Sequence, residues 1–346
     1  IDMSEIKTTI ILGGTGFVGR AVVERYLKNN WRVVIPTRRE NKDEIIDRMI
    51  LHGFKKNFFE RFIPDKSLLF AFDVELTDKK WLQPESWLKL FDELDVRISS
   101  ILRIINLVGE TSKSSGEILK SNIYALESVF TLAQVIKSQN KDTLFVTMGS
   151  VAEKKLGKNL PPYEYAKKIA REKIEESGLC DFHFITHYIK GKGEQKMKLA
   201  APILWKKLKF SHKWLFGFKV SVIDVDDLAE IIYHLPEVIK ISPQKHQPIE
   251  VNVTSGELLF GEMIKNLLPE NKRNIPRRII PSWLEGAFLR LYAAIIPLIK
   301  PNDQLARRLA SFAKRSLINS SHPEIPSSFK TADEIKKLAT DTDNYK

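Results

Sequence analysis

Over its first 190 residues the chain alternates short apolar runs with longer amphipathic segments. The runs at 8–12 (TTIIL), 32–36 (RVVIP), 67–72 (SLLFAF), 103–108 (RIINLV), 143–148 (TLFVTM) and 182–187 (FHFITH) read as strands. They are apolar almost throughout, as strands buried on both faces should be. Helices are expected near 17–29, 42–61, 84–98, 116–138 and 161–177. Strand and helix taking turns predicts βαβ units and a parallel sheet covered on both faces, the α/β class. The segment 279–299 is the most apolar later stretch, but Pro281, Pro297, Glu285 and Arg290 interrupt it. It falls short of a membrane span. Leu284, Phe288, Leu291, Ile295 and Leu298 recur at helical spacing there and predict a buried amphipathic helix. Beyond residue 319 the chain turns polar, and Thr331 with Glu334 has the spacing of a capping box for one short helix.

The stretch TIILGGTGFVGRAV (9–22) gives up side chains three times, at Gly13, Gly16 and Gly19, between the first strand and the first helix. Gly13 suits a tight turn, Gly16 leaves room for a diphosphate to approach the backbone, and Gly19 lets helix and strand pack closely. Phosphates would then meet free N–H groups at the positive end of the helix. Thr15, Phe17 and Val18 complete this candidate dinucleotide loop. The chain is therefore expected to adopt a Rossmann-type doubly wound parallel sheet with a smaller C-terminal substrate region. At the end of the second strand, where an NAD enzyme carries an acidic residue for the ribose hydroxyl, this chain has Thr37, Arg38 and Arg39. An arginine there can pair with a 2′-phosphate, which favours NADP(H). If the arginines only solvate a turn, NAD(H) stays open.

Composition narrows this picture. Of 346 residues, 43% are hydrophobic and 28% charged, ordinary for a soluble globule with a real core. The single cysteine, Cys180, excludes an internal disulfide and a four-cysteine metal site, and no metal is expected. IDMSEIKT has no leader pattern and reads as a start at Met3 after a short leftover. The net charge of +12 favours anionic partners. Much of it lies in 190–219, which holds nine lysines from Lys190 to Lys219 against Glu194, and in 272–315. Solvated helix faces are the commonest meaning of such runs. Contact with a membrane surface or a protein complex is the alternative, because Met197, Ala200, Ile203, Leu204 and Leu208 form an apolar stripe among the lysines. Nucleic acid is disfavoured, since neither a recognition helix nor an aromatic platform accompanies the charge.

Further residues carry a resemblance. PPYEYAKKIAREKIE supplies Tyr163 and Lys167 in a Y-x-x-x-K pattern, and Ser150 in FVTMGS precedes that tyrosine by thirteen residues. Asn122 lies in KSNIYALESVF, Asp73 and Val74 in FDVEL, Leu107 and Gly109 in INLVGE, and VSVIDVDDLAEII occupies 220–232. With the glycine spacing, this ordered set over roughly residues 8–235 resembles the extended and atypical branches of the short-chain dehydrogenase/reductase superfamily. That superfamily includes NAD(P)-dependent nucleotide-sugar epimerases and dehydratases. The resemblance implies that Tyr163 exchanges a proton with a substrate hydroxyl or carbonyl, and that Lys167 lowers the tyrosine pKa and holds the nicotinamide ribose. Ser150 would orient the substrate oxygen, with Asn122 beside them. Asp73 would contact adenine, while Leu107 and Gly109 would border the nicotinamide ribose. The chemistry is sound by itself: residues four apart share a helix face, and a neighbouring ammonium favours the phenolate of a group whose ordinary pKa is near 10.

Two features depart from the family. Thr186, His187 and Tyr188 replace the usual proline-bearing segment after the sixth strand, with His187 read as a packing residue; and the loop toward the substrate is the lysine-rich stretch. The expected function is interconversion of a secondary alcohol and ketone on an anionic small molecule, as reductase or epimerase. The competing reading is a non-catalytic nucleotide-binding scaffold resembling the accessory subunit of respiratory complex I, which KPNDQLARRLA (300–310) also suggests. Residues 1–189 form the expected nucleotide domain, with 220–235 returning to it, 190–219 and 236–318 the smaller region, and 319–346 a polar tail. A homodimer through 116–138 and 161–177 is the arrangement that the family implies. A cytoplasmic location is expected, with peripheral membrane attachment and an organellar location left open.

Overall fold

The computed structural model describes residues 6–39, 41–51, 56–63, 66–110, 114–154, 160–192, 214–216, 219–238, 247–259, 278–280 and 329–331. The first half runs β1 (Thr8–Leu12), α1 (Phe17–Lys28), β2 (Arg32–Pro36), α2 (Lys42–Leu51), α3 (Lys56–Phe62), β3 (Leu68–Ala71), α4 (Pro84–Glu93) and β4 (Ile101–Asn106). It continues through α5 (Ser115–Leu119), a π-helical turn (Lys120–Tyr124), α6 (Ala125–Gln139), β5 (Leu144–Ser150), a 3₁₀ turn (Val151–Lys154), α7 (Pro162–Ser177) and β6 (Phe182–Thr186). Later elements are β7 (Tyr188–Lys190), β8 (Trp214–Phe216), β9 (Lys219–Asp224), α8 (Val225–Val238), β10 (Ile249–Thr254), β11 (Gly256–Leu259), β12 (Arg278–Ile280) and β13 (Phe329–Thr331).

The main sheet has eight strands in the order β3-β2-β1-β4-β5-β6-β10-β13, and every pairing is parallel. Alternation along each strand feeds two cores. Ile11, Val33, Ile35, Ile105 and Val146 pack under α1, α2 and α8, whereas Ile10, Leu12, Val34, Ile104 and Phe145 pack under α4, α6 and α7. The order in which strands are added reverses between β1 and β4, so a crevice opens at their carboxyl ends, where such sheets bind ligands. The doubly wound α/β expectation is borne out.

Helix α8 returns to the nucleotide half and packs on α1, where Arg25 pairs with Glu230 at 2.6 Å. Buried Arg103 ties the same layer, donating to the Tyr26 hydroxyl (2.9 Å) and the Tyr233 carbonyl (2.5 Å) amid the rings of Tyr26, Trp31 and Tyr233. Two small sheets lie outside the main one, β11-β9-β7 and β12-β8.

Four details differ from the sequence expectations. Helix 42–61 is two helices, α2 and α3, with Gly53 between them in the sequence. The helix expected at 116–138 carries the π turn. Residues 249–254, expected in the smaller region, form β10 beside β6, because Val251 and Val253 alternate into the main core. Phe329–Thr331, in the expected polar tail, pairs with β10. The expected stripe of residues 197–208, the amphipathic segment 279–299 (apart from Ile279 and Ile280 in β12) and the helix after Thr331 lie outside the described residues.

Candidate nucleotide and catalytic site

The glycine turn is shaped by close approaches. Gly13 has φ +79°, in the left-handed region, and an added Cβ would lie 3.0 Å from the Leu107 carbonyl carbon and oxygen. At Gly19 an added Cβ would lie 2.6 Å from Gly14 Cα, so helix α1 rests directly on the loop. Gly16 is different: among the described residues the one atom within 4 Å of an added Cβ is the Gly13 oxygen at 3.3 Å, so its bare face is open on that side. Gly16 is also the N-cap of α1, with no side-chain cap bond and no acidic residue in the first turn. The amides of Phe17, Val18 and Gly19 stand in that first turn without preceding carbonyl partners, and Thr15 is half-buried in the loop before them. An uncapped, acid-free helix start below a bare backbone face fits a diphosphate.

At the end of β2, Thr37 is a structural tie: its N–H donates to Ala71 O (2.8 Å) and its carbonyl accepts from Val74 N–H (2.9 Å). This brings Asp73, exposed at φ +56°, beside the strand end. Arg38 is half-exposed, 4.0 Å from Glu75, and Arg39 pairs with Glu44. A third guanidinium, Arg48 of α2, was not foreseen from the sequence. Burial holds it below the usual range and the charges of Arg39 and Arg38 add to that, while Glu110 pulls the other way. Its Nε is buried without a hydrogen-bond partner. Three neighbouring cations, one of them without an ion pair among the described residues, are suited to a multiply charged anion.

Across the crevice, α7 projects Tyr163 and Lys167. Lys167 is buried, its Nζ donating to Met148 O (3.4 Å) at the end of β5 and standing 6.0 Å from the Tyr163 ring centre. Tyr163 packs on Ile118, Ile123 and Ala166, and its hydroxyl has no hydrogen-bond partner among the described residues. Asn122 sits in the π turn, where its Nδ2 donates to Glu110 O (2.9 Å) and Ile118 O (2.8 Å). Its buried Oδ1 has no partner. A Cβ on Gly109 would lie 2.9 Å from that Oδ1 and 3.5 Å from Lys167 Nζ, so Gly109, Asn122 and Lys167 converge on one point. Leu107, whose N–H donates to Leu12 O (3.0 Å), joins this corner to the glycine loop.

Ser150 ends β5 opposite Thr186. Its Oγ accepts from Ala152 N–H (3.3 Å), which leaves its own proton to donate, and no bond joins it to Tyr163 among the described residues. Burial pushes His187 down to about 4, helped by the charge of Lys154, so its ring is neutral at neutral pH. Sequence reasoning also missed buried Glu153 and His183, which lie under Ser150. Among the described residues no group of side chains could hold a metal ion, and no helix is long and apolar enough to cross a membrane.

Residues 9–173 match the model of the NAD dependent epimerase/dehydratase family. No curated protein matches the chain in sequence. Among solved structures, the terminal R domain of the myxalamid PKS-NRPS biosynthetic pathway aligns with a TM-score of 0.58 at 13% identity, covering 97% of this chain and 85% of that one. The UDP-glucose-4-epimerase of Stenotrophomonas maltophila, solved with NAD and formylated UDP-arabinopyranose, gives 0.53 at 16% identity (80% and 86% covered). The Bordetella bronchiseptica enzyme WbmH, in complex with NAD⁺, gives 0.52 at 13% (80% and 85%). These similarities establish the fold, and the family match bears out the epimerase/dehydratase-like resemblance over the residues that it spans.

Proposed function

We propose that this protein, which carries the pattern of the NAD dependent epimerase/dehydratase family over residues 9–173, is an NADP(H)-dependent oxidoreductase that interconverts a secondary alcohol and a ketone. The observation that carries the reading is the convergence of Lys167 Nζ, the orphaned Asn122 Oδ1 and bare Gly109 beside Tyr163, one strand from the uncapped glycine loop. A scaffold that only held a nucleotide would have no use for a buried lysine directed at a tyrosine ring.

The residues divide the work. First-turn amides of α1 and the bare face of Gly16 receive the diphosphate; Arg38, Arg39 and Arg48 receive the 2′-phosphate. A bound nicotinamide supplies the hydride chemistry. Ser150 donates a hydrogen bond to the substrate oxygen and keeps its proton, and Tyr163 gives that oxygen a proton in reduction or takes one in oxidation. The Lys167 ammonium favours the phenolate form of Tyr163. Reduction and epimerisation share this opening step. Lys190 and Lys192, after β6, support an anionic substrate such as a nucleotide sugar.

The test is Tyr163→Phe. NADPH turnover across a panel of nucleotide sugars and their keto forms should vanish, while NADPH binding by calorimetry stays within about twofold. Turnover that survives the substitution would end the proton-transfer role.

A further inference from the structure

Directly beneath Ser150 lies a buried polar chain that the proposed mechanism does not use. The 3₁₀ turn after β5 folds Glu153 back under the strand end, where its side chain is 2% exposed. Its Oε2 accepts the Ser150 N–H at 3.0 Å, and its Oε1 lies 3.0 Å from His183 Nε2 and 3.4 Å from Arg171 Nη1. His183 Nδ1 is 2.7 Å from Thr147 Oγ1, which is 3.2 Å from Cys180 Sγ. Gly149 is bare because the pair rests on it: an added Cβ would be 2.8 Å from His183 Cε1 and nearer still to Glu153 Oε2. Burying a carboxylate is expensive unless it is paired. Burial does push Glu153 up. The hydrogen bond and charge of His183, the Ser150 N–H and the charge of Lys167 outweigh that, so Glu153 is held below the usual carboxylate range and stays ionised. One anion thus touches the backbone of Ser150, two residues along β5 from Met148, whose carbonyl holds the ammonium beside Tyr163.

We propose that Glu153 is a positioning residue for this site: it fixes the Ser150 backbone at the end of β5 and partly offsets the charge of Lys167, which sets the pH at which Tyr163 loses its proton. The inference rests on the reading of Tyr163 given above. The groups facing Glu153 are Ser150 from β5, His183 from β6, and Arg171 and Lys167 from α7. Behind Arg171 stand Glu175 and Glu250, with Lys154 bound to Glu250. An offsetting anion opposes the phenolate, so removing it must lower the tyrosine pKa.

Tyrosinate absorbance, titrated with NADP⁺ bound, reads this without a substrate. The difference between the full chain and Tyr163→Phe isolates one of the eight tyrosines. In Glu153→Gln the midpoint of that difference should move down by roughly half a pH unit or more, and Glu153→Asp should restore it. If Glu153→Gln does not fold, Arg171→Gln strips a cation from the same carboxylate and must move the midpoint up. A Tyr163 signal whose midpoint stays in place in Glu153→Gln, or in Arg171→Gln where that variant is the one measured, overturns the role of Glu153 and leaves Tyr163 standing. No signal lost in Tyr163→Phe overturns both.

Discussion

Gly19→Ala is the sharpest perturbation of the nucleotide loop. In an exposed helix, alanine in place of glycine gains about 1 kcal/mol. Here the added Cβ would lie 2.6 Å from Gly14 Cα and 2.8 Å from the Gly13 carbonyl carbon, with the Gly13 oxygen nearer still. Carbon contacts relax only at about 3.5–4.0 Å, so loop or helix must shift by roughly 1 Å. All three atoms are backbone and no rotamer relieves them, which puts the cost near the top of the ~1–3 kcal/mol range for overpacking. Less the helix gain, the net loss is about 2 kcal/mol. Gly116→Ala is the matched control: Gly116 lies in α5 with nothing within 4 Å of an added Cβ. It should gain up to about 1 kcal/mol, so the two variants should part by about 3 kcal/mol in urea denaturation. Calorimetry should show Gly19→Ala binding NADPH about tenfold more weakly or worse, because the first-turn amides move with the helix. Equal stabilities for the two variants, or unchanged NADPH affinity in Gly19→Ala, would refute the packing argument.

Arg48→Ala should narrow the preference for NADPH over NADH by calorimetry, as Arg38→Ala should; equal weakening toward both dinucleotides would remove Arg48 from the 2′-phosphate pocket. His187 has a native pKa of about 4 against an ordinary 6.5, so the unfolded chain takes up its proton first. Its contribution is therefore complete above pH 6.5 and is lost as pH falls toward 4, by up to about 3 kcal/mol. His187→Gln should flatten that part of the stability profile, and an unchanged slope between pH 6.5 and 4.5 would contradict it. Burial pushes the Cys180 thiol up to about 12, so iodoacetamide at pH 8 should modify it only after unfolding; rapid labelling of the native protein would contradict that burial.

Strands β1 to β6 were legible in the sequence to within about two residues because each is buried on both faces and so reads as one apolar run. β10 was harder. In PIEVNVT only alternate positions, Ile249, Val251 and Val253, turn toward the core, and the run stands far along the chain from β6, its partner. The glycine loop was legible because backbone approaches demand bare positions at Gly13 and Gly19, while Gly16 between them keeps an open face. Tyr163 and Lys167 were legible for a similar reason, since four residues on one helix set their geometry. Arg48, Glu153 and His183 were not. Arg48 matters through Arg38 and Arg39, in the turn before its own helix, and Glu153 meets His183 thirty residues later on the neighbouring strand. Only the folded sheet brings those partners together.

That contrast orders the site by how its parts are specified. The loop that would hold the diphosphate depends on absences, two glycines whose Cβ atoms would crowd backbone and a third with an open face, so local sequence suffices to find it. The corner around Tyr163 depends on compensation. Lys167 is buried near an Asn122 oxygen that has no hydrogen-bond partner among the described residues, and Glu153 is buried against the Ser150 backbone with His183 and Arg171 as partners. Compensated burial of this kind is costly to assemble and is found where a pKa has to be set, because each partner shifts the proton affinity of the next. A chain needing only a nucleotide for its stability could keep the loop and let that corner become apolar. This one keeps a carboxylate, an imidazole and a guanidinium in one network under Ser150, with an ammonium held at the Met148 carbonyl beside Tyr163, and that retention is what weighs for catalysis over scaffolding.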